Sequence, residues 1–483
     1  MGTNNTSSAD KKGNLSASNH PEYDEYLVDW KQMRDTFSGE RVVKENGTVY
    51  LPKTAGMKAD GTEGNDAYAS YKLRTVFYDF VATTVADMLG VLEKEPTVYE
   101  LPTRLEPLEE DAGPDSEPLK VVHRRVNEQQ LITSRVGLLL DPPSATTPQA
   151  LPSIVQYNAE TILNWDSDNK EPRWIVLNES RNVVEEGSLT WVWKEEYRLL
   201  ALDGSDRYYT AVYDKYPRDI DIDNPAVSQD PSDPLSGEAV YPMLNGNTLD
   251  TIPFVFINAT SLGVNVEKPM LLGLSNLALA AYRGDADYRQ ALFLQAQDTL
   301  FLQGFTEEDK SSIRVGASTF ISSTNTEADA KFIGIESDGL SEMRESQDHL
   351  VEKATDMGIE MRDKSGVESG DAILTRLTVR TATLTTVAKV AAAGVQKLLR
   401  IAAMWAGVAP EEVEVTPNLD FTDSAVTPKE VLEMWTVAQA GGMTVEDFHA
   451  WLKQHDLTND DLEEWQAKIA DSTAAALSLG LPG

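Results

Sequence analysis

The chain holds 23 prolines, yet none falls between Pro269 and Pro410. Proline removes a backbone donor and clashes with the preceding helical turn, so a long proline-free window permits long rods. Residues 270–298 read as a helix with Leu274, Leu277, Ala281, Tyr288 and Leu292 on its packing side. Three short strand candidates follow within 299–337: TLFLQGF, STFISS and AKFIGIE. In the next helix Leu340, Met343, Gln347, Leu350, Ala354, Met357 and Met361 alternate steps of three and four, a heptad seam. The polar loop RDKSGVESGD separates it from the longest helix, roughly residues 372–406. There Leu374, Leu377, Thr381, Leu384, Ala388, Ala391, Val395, Leu398, Ala402 and Trp405 keep the same alternation. That rod would be about 50 Å long at the helical rise, and its many threonines mean that packing must hold it. Rods around a small β module describe a part that spans a distance, not one that encloses a substrate.

Upstream, residues 21–45 read as one helix with Tyr26, Leu27, Trp30, Met33 and Phe37 in an apolar stripe. A second helix is expected over 67–92. Strand-like TVYELP, an acidic linker around 106–117, a helix near 119–135 and the buried strand GLLLDPP follow. Between 154 and 256, PRWIVLNES, LTWVWKEEYRLLAL and RYYTAVYD alternate aromatic and β-branched residues with polar ones, as in a sheet solvated on one face. Asp219, Asp221, Asp223 and Asp230 fall at spacings of a calcium-loop pattern. Asn224 replaces the required glycine and Pro225 follows, so a solvated acidic turn is the better reading. After Pro410 come the short strand VEVTPNLDF and small amphipathic helices containing Trp435, Phe448, Trp451 and Trp465. Thr427 before Pro428 and Glu430 marks a helix start. The fold class is α+β.

A length of 483 residues allows two to four domains. No stretch approaches the roughly 18–20 apolar residues of a membrane span, so no membrane partner is expected. The N-terminus lacks the apolar core of a secretory signal. It matches the myristoylation pattern at Gly2 and Thr6, although a flexible polar tail is the plainer reading. With no cysteine and five scattered histidines, thiolate and zinc chemistry are not expected, and no cofactor or metal is assigned. Seventy-eight acidic against 42 basic residues give a net charge of −36. Tight nucleic-acid binding needs lysine and arginine to displace phosphate counterions. A chain this acidic either avoids DNA or touches it without gripping it.

The order helix, small β module, helix, short loop, long helix, C-terminal helices resembles the portal proteins of tailed bacteriophages. The strings HPEYDEYLVDWKQMRDTFSGERVVKENGTVYLPK, NAETILNW, TIPFVFINA and LLGLSNLALAAYRGDADYRQAL resemble one phage family of portal type. The likeness covers most of residues 20–440 and rests on segment order and local strings. It implies a flexible tail over 1–20, a wing over 21–267 and a first stem helix over 268–298. A clip over 299–337, a second stem helix over 338–361 and a tunnel loop over 362–371 would follow. The long wing helix would span 372–408, and a C-terminal wing or crown 409–483. It further implies a homo-oligomeric ring, typically of twelve copies, at one capsid vertex of the virion, assembled in the host bacterial cytoplasm. Double-stranded DNA would pass through without sequence specificity. Partners would be the terminase large subunit, a head–tail adaptor and the major capsid protein.

Three groups of residues carry candidate roles. Glu342, Glu345, Asp348, Glu352 and Asp356 are channel-lining acidic candidates, weighed equally against a merely solvated helix face. Residues 372–404 hold no acid, yet carry Arg376, Arg380, Lys389, Lys397 and Arg400. Pairing with acidic neighbours across a subunit interface is favoured over contact with DNA, because the seam implies a largely packed helix. In the loop, Gly366 and Gly370 supply flexibility, Arg362 and Lys364 could brush phosphates without base specificity, and Ser365 and Ser369 are further DNA-facing candidates. The alternatives are another head–tail connector or minor capsid protein and, more distantly, an acidic hydrolase using paired carboxylates. No phosphate loop, GxSxG or HExxH occurs, so no enzyme activity is expected.

Overall fold

Helix α1 (Pro21–Ser38) and helix α2 (Glu40–Glu45) occupy the stretch read as one helix. They part at Gly39, whose φ of 86° lies in the region glycine adopts freely. A Cβ there would lie 2.8 Å from the Asp79 carboxylate. The helix expected over 67–92 is also divided. A short α3 (Ala55–Ala59) precedes α4 (Gly61–Arg74), and α5 (Phe80–Leu92) starts after a five-residue break. Thr75 Oγ1 turns back to donate to Tyr71 O at 2.9 Å. The Val76 amide donates to Asp285 Oδ2 at 2.7 Å instead of continuing the helix. Phe77 is buried edge-on against Tyr282, with ring centroids 5.9 Å apart. A carboxylate from far along the chain thus takes over an amide that local pattern gives to a helix.

The middle of the chain is built of β1 (Val98–Glu100), α6 (Leu119–Thr133), β2 (Arg135–Asp141), β3 (Ser153–Asn158), β4 (Ile162–Trp165) and β5 (Trp174–Asn178). It continues through β6 (Arg181–Val184), β7 (Trp191–Lys194), β8 (Tyr197–Leu202), β9 (Tyr208–Tyr213), β10 (Ala239–Val240) and β11 (Phe254–Asn258). Then come α7 (Leu272–Gln295), β12 (Thr299–Gln303), β13 (Asp329–Ile333), α8 (Leu340–Gly358), α9 (Gly370–Ala406), β14 (Glu414–Thr416) and α10 (Val445–Gln454). The class is α+β. One antiparallel sheet runs β11-β2-β3 and a larger one β10-β9-β8-β5-β4, while β1–β14, β6–β7 and β12–β13 are two-stranded. Helix α6 ends two residues before the sequence reading, because Ser134 adopts a left-handed φ of 56° and turns the chain into β2. The expectation of one-face solvation fails at β7. All four of its residues are exposed, because the β6–β7 ribbon gains no third strand among the described residues.

The structure describes residues 19–59, 61–142, 151–168, 171–217, 220–228, 236–243, 246, 248–295, 299–306, 325–333, 339–358, 370–419, 421, 434–438, 442–454, 457–458 and 460–468; of 370–381 it describes the backbone alone. Gly2, Asp219, Asp230, the STFISS strand candidate and the Thr427 helix start lie outside them. Asp221 and Asp223 form an exposed turn, in which the Asn224 amide donates to Asp221 Oδ1 at 3.2 Å. The chain divides into two units, Met1–Leu419 and Asp420–Gly483. In the second, Phe448 and Leu452 pack with Trp435, Trp451 and Trp465.

The core of the first unit gathers α1, α6, the sheet β11-β2-β3 and the second half of α9. Leu384, Ala388, Ala391, Val395, Leu398, Ala402 and Trp405 are all buried, as the heptad seam requires. Within this core Arg135 lies between two aromatic rings, its guanidinium 4.5 Å from both the Trp165 and Phe256 centroids. It donates to Asn258 Oδ1 at 3.2 Å, and His20 stacks on the other ring partner, Trp165, at 3.9 Å. Burial pulls the Arg135 guanidinium down to about 9, opposed by the Glu22 and Glu267 carboxylates, so it stays charged at neutral pH. The contact joins the start of α1 to β2, β4 and β11.

Helix α9 approaches β11 so closely at Gly394 that a Cβ there would collide with Ile257 and press on Leu262. Gly394→Val should therefore lower stability by about 1–3 kcal/mol through overpacking. Chemical denaturation checks this, and an unchanged midpoint would contradict the close approach.

Candidate functional site

Helix α7 is fastened along one side and open along another. Gln32 Nε2 donates to Ser275 Oγ at 3.0 Å and to Asn276 Oδ1 at 2.7 Å, and Thr36 Oγ1 donates to Ser275 Oγ at 3.0 Å. Farther along, Arg283 Nε donates to Tyr50 O at 2.9 Å and Tyr71 Oη to Asp287 Oδ1 at 2.6 Å. The last turn is more open: Leu292, assigned to the packing side by pattern, is 40% exposed, although the Arg74 guanidinium of α4 lies 4.0 Å from the Phe293 ring centroid.

Helix α8 packs antiparallel on the open side of α7. A Cβ on Gly273 would sit 3.2 Å from Met357 Cε, while one on Gly284 would collide with Gln347. Two glycines at the contact let the backbones draw together, and the Gln347 amide lies 3.2 Å from both Ala281 O and Asp285 N, partners that call for its nitrogen toward the first and its oxygen toward the second. Leu340, Met343, Gln347 and Leu350 are half-buried and Ala354 fully buried, so the seam faces α7. Met357 keeps its contact with α7 at Gly273 but is 57% exposed.

The other face of α8 carries Glu342, Glu345, Asp348 and Glu352, all exposed. Arg344 lies 3.9 Å from Asp348, and His349 lies 3.9 Å from Glu352; both pairs are solvated. Such pairs contribute about 0–1 kcal/mol, so the face remains an acidic stripe. Asp356 lies on the same helix in a stretch whose side chain is not described.

On α9, Lys389, Lys397 and Arg400 are exposed while the seam is buried. Two of them act within the chain. Lys397 Nζ lies 3.7 Å from Glu171 Oε1, and Arg400 donates to Val413 O at 3.2 Å. Beside them Gln396 Oε1 accepts from Val415 N at 3.1 Å, fixing β14 to the helix. Lys389 has no ion-pair partner among the described residues. Arg376 and Arg380 lie on the part of α9 described by backbone only. Arg362, Lys364, Ser365, Gly366 and Ser369 lie outside the described residues.

A family model described as a Domain of unknown function (DUF4055) matches residues 270–406, from just before α7 to the last residue of α9. No curated protein matches. Among solved structures, the chain is similar to one described as "Neck of empty GTA particle computed with C6 symmetry". The identity is 13% and the TM-score 0.35, with 89% of this chain and 93% of that chain covered. Among the described residues, no helix is long and apolar enough to cross a membrane.

One concavity was invisible to sequence reasoning. A cleft of about 530 Å³ lies between the α5 end, β1 and α6, with Tyr99, His123 and Asn127 in its lining. His123 Nδ1 is 2.9 Å from Tyr99 Oη, and burial pushes its imidazole down to about 4. No motif announces this pairing, because the two residues meet only when β1 folds over α6. An unfolded histidine takes up a proton near pH 6.5, but buried His123 resists until about pH 4. The stability it confers is complete above that window and lost as pH falls through it. Between pH 7 and pH 4.5 the His123 share of the loss should be about 2–3 kcal/mol. Subtracting the unfolding curve of His123→Gln from that of the parent measures it; identical pH dependences would contradict the assignment.

Proposed function

We propose that the chain is the non-enzymatic subunit of a portal-type ring at one vertex of a tailed-phage capsid, forming a channel for double-stranded DNA in packaging and ejection. One observation carries this reading: α8 packs its apolar edge on α7 and α5 and leaves its carboxylate face uncovered. In a monomeric globular protein a long helix ordinarily hides its apolar stripe under several neighbours. Here the second layer is thin, and the face turned away from it is acidic. Set around a common axis, Glu342, Glu345, Asp348 and Glu352 from every copy would line a negative wall. Screening confines repulsion to about 8 Å at physiological salt, so such a wall centres a polyanion without closing the passage. Tight phosphate binding would stall transport, and a net charge of −36 keeps the surface poor in counterion-releasing cations.

In this reading α7 and α8 are the stem, β12 and β13 belong to the clip where a terminase large subunit docks, and α9 is the long wing helix. The head–tail adaptor later takes the terminase position, and the major capsid protein surrounds the wing. In this reading the segment that meets DNA precedes α9, with Arg362 and Lys364 brushing phosphates. Deleting residues 365–369 should leave ring assembly intact and abolish genome packaging, as read from DNA protected within particles. Normal packaging by rings that carry the deletion would contradict the role of the loop.

A further inference from the structure

The β6–β7 ribbon places large apolar side chains in solvent. Leu189 at its tip is 96% exposed, Trp191 67% and Trp193 61%. The register pairs Val184 with Trp191 and Asn182 with Trp193, so both indoles share one face of the ribbon. Clustered exposed tryptophans mark interaction surfaces more often than they mark plain surface. The ribbon is also acidic. Arg181 and Lys194 both hold Glu196, leaving Glu185, Glu186 and Glu195 without an ion pair among the described residues.

A complementary surface lies on the same chain. A groove of about 470 Å³ runs along the outward face of α9, lined by Ala393, Lys397, Arg400, Ile401 and Met404, with Glu171 and Asp250 completing it. Met404 is 47% exposed although the other side of the helix is buried. Lys397 is held only by a long, solvated pair with Glu171, an interaction readily exchanged. Cations beside an apolar floor suit indole faces. Side chains two apart on a strand stand about 7 Å apart, close to the roughly 6 Å spacing of i and i+4 on a helix. The two indoles can therefore straddle one row of α9.

Within one chain both surfaces stay open, so the contact is not made in cis. We propose that the β6–β7 ribbon of one copy docks in the α9 groove of the next copy, with Trp193 over Ala393 and Trp191 one turn on, over Lys397. Two different patches meeting head to tail generate a ring when the rotation closes. The inference rests on the ring reading above and assigns its subunit contact.

The chain lacks cysteine, so one introduced pair can be followed without background. Oxidising the assembled Trp193→Cys/Ala393→Cys variant should give a ladder of covalent multimers that collapses on reduction, and neither single variant should give one. In parallel, Trp191→Ser/Trp193→Ser should shift the assembly to monomer with unchanged circular dichroism, since both side chains are exposed. A ladder together with that dissociation supports the contact. Assembled particles without a ladder overturn it and leave the ring reading standing, and dissociation of the serine variant without a ladder means that the ribbon docks elsewhere. A parent chain that remains monomeric at every concentration overturns both.

Discussion

The burial of one side of α9 is the constraint on which the rest depends. At about 1.5 Å per residue its 37 residues span roughly 55 Å, more than an isolated threonine-rich helix could sustain in water. From Ala391 to Trp405 the seam is sunk into the core formed with α6 and the β11-β2-β3 sheet, and Leu384 and Ala388 before it are buried too. Its flank then fixes β14 through Gln396 and Arg400, and β14 closes on β1. With the core placed beneath it, the cationic side of the helix is left outward by geometry.

Charge is segregated by element. Acids dominate the outer face of α8, while residues 372–404 of α9 contain none. Neither face is neutralised fully by its own chain: the α8 pairs are long and solvated, and Lys389 has no partner among the described residues. A soluble monomer gains nothing from separating its charges in this way. In an assembly the separation sets which faces can meet another copy and which must stay apart. The acidic face suits a passage for a polyanion, and the basic face suits an acidic neighbour.

Much of this could be read before the fold was known, where the physics was local. The seam of α8 and the seam of α9 from Leu384 onward follow from heptad spacing, and the buried strand β2 follows from its apolar run. The failures have distant causes. The gap between α4 and α5 is imposed by Asp285, which no window around Thr75 contains. The end of α1 was legible in principle, since a glycine interrupting an amphipathic pattern permits the positive φ found at Gly39. Trp191, Val192 and Trp193 look like core strand residues, yet lie open because among the described residues no third strand joins their ribbon. The His123–Tyr99 pairing and the Arg135 aromatic clamp needed the tertiary fold to bring their members together.

A ring of identical copies around an open axis is the claim beneath the functional account. The mass of the purified native particle, with averaged electron images viewed down its axis, tests it most directly. The account predicts a closed multiple of 53.2 kDa with a central hole lined by α8. A uniform 53.2 kDa species with no annular views would contradict it.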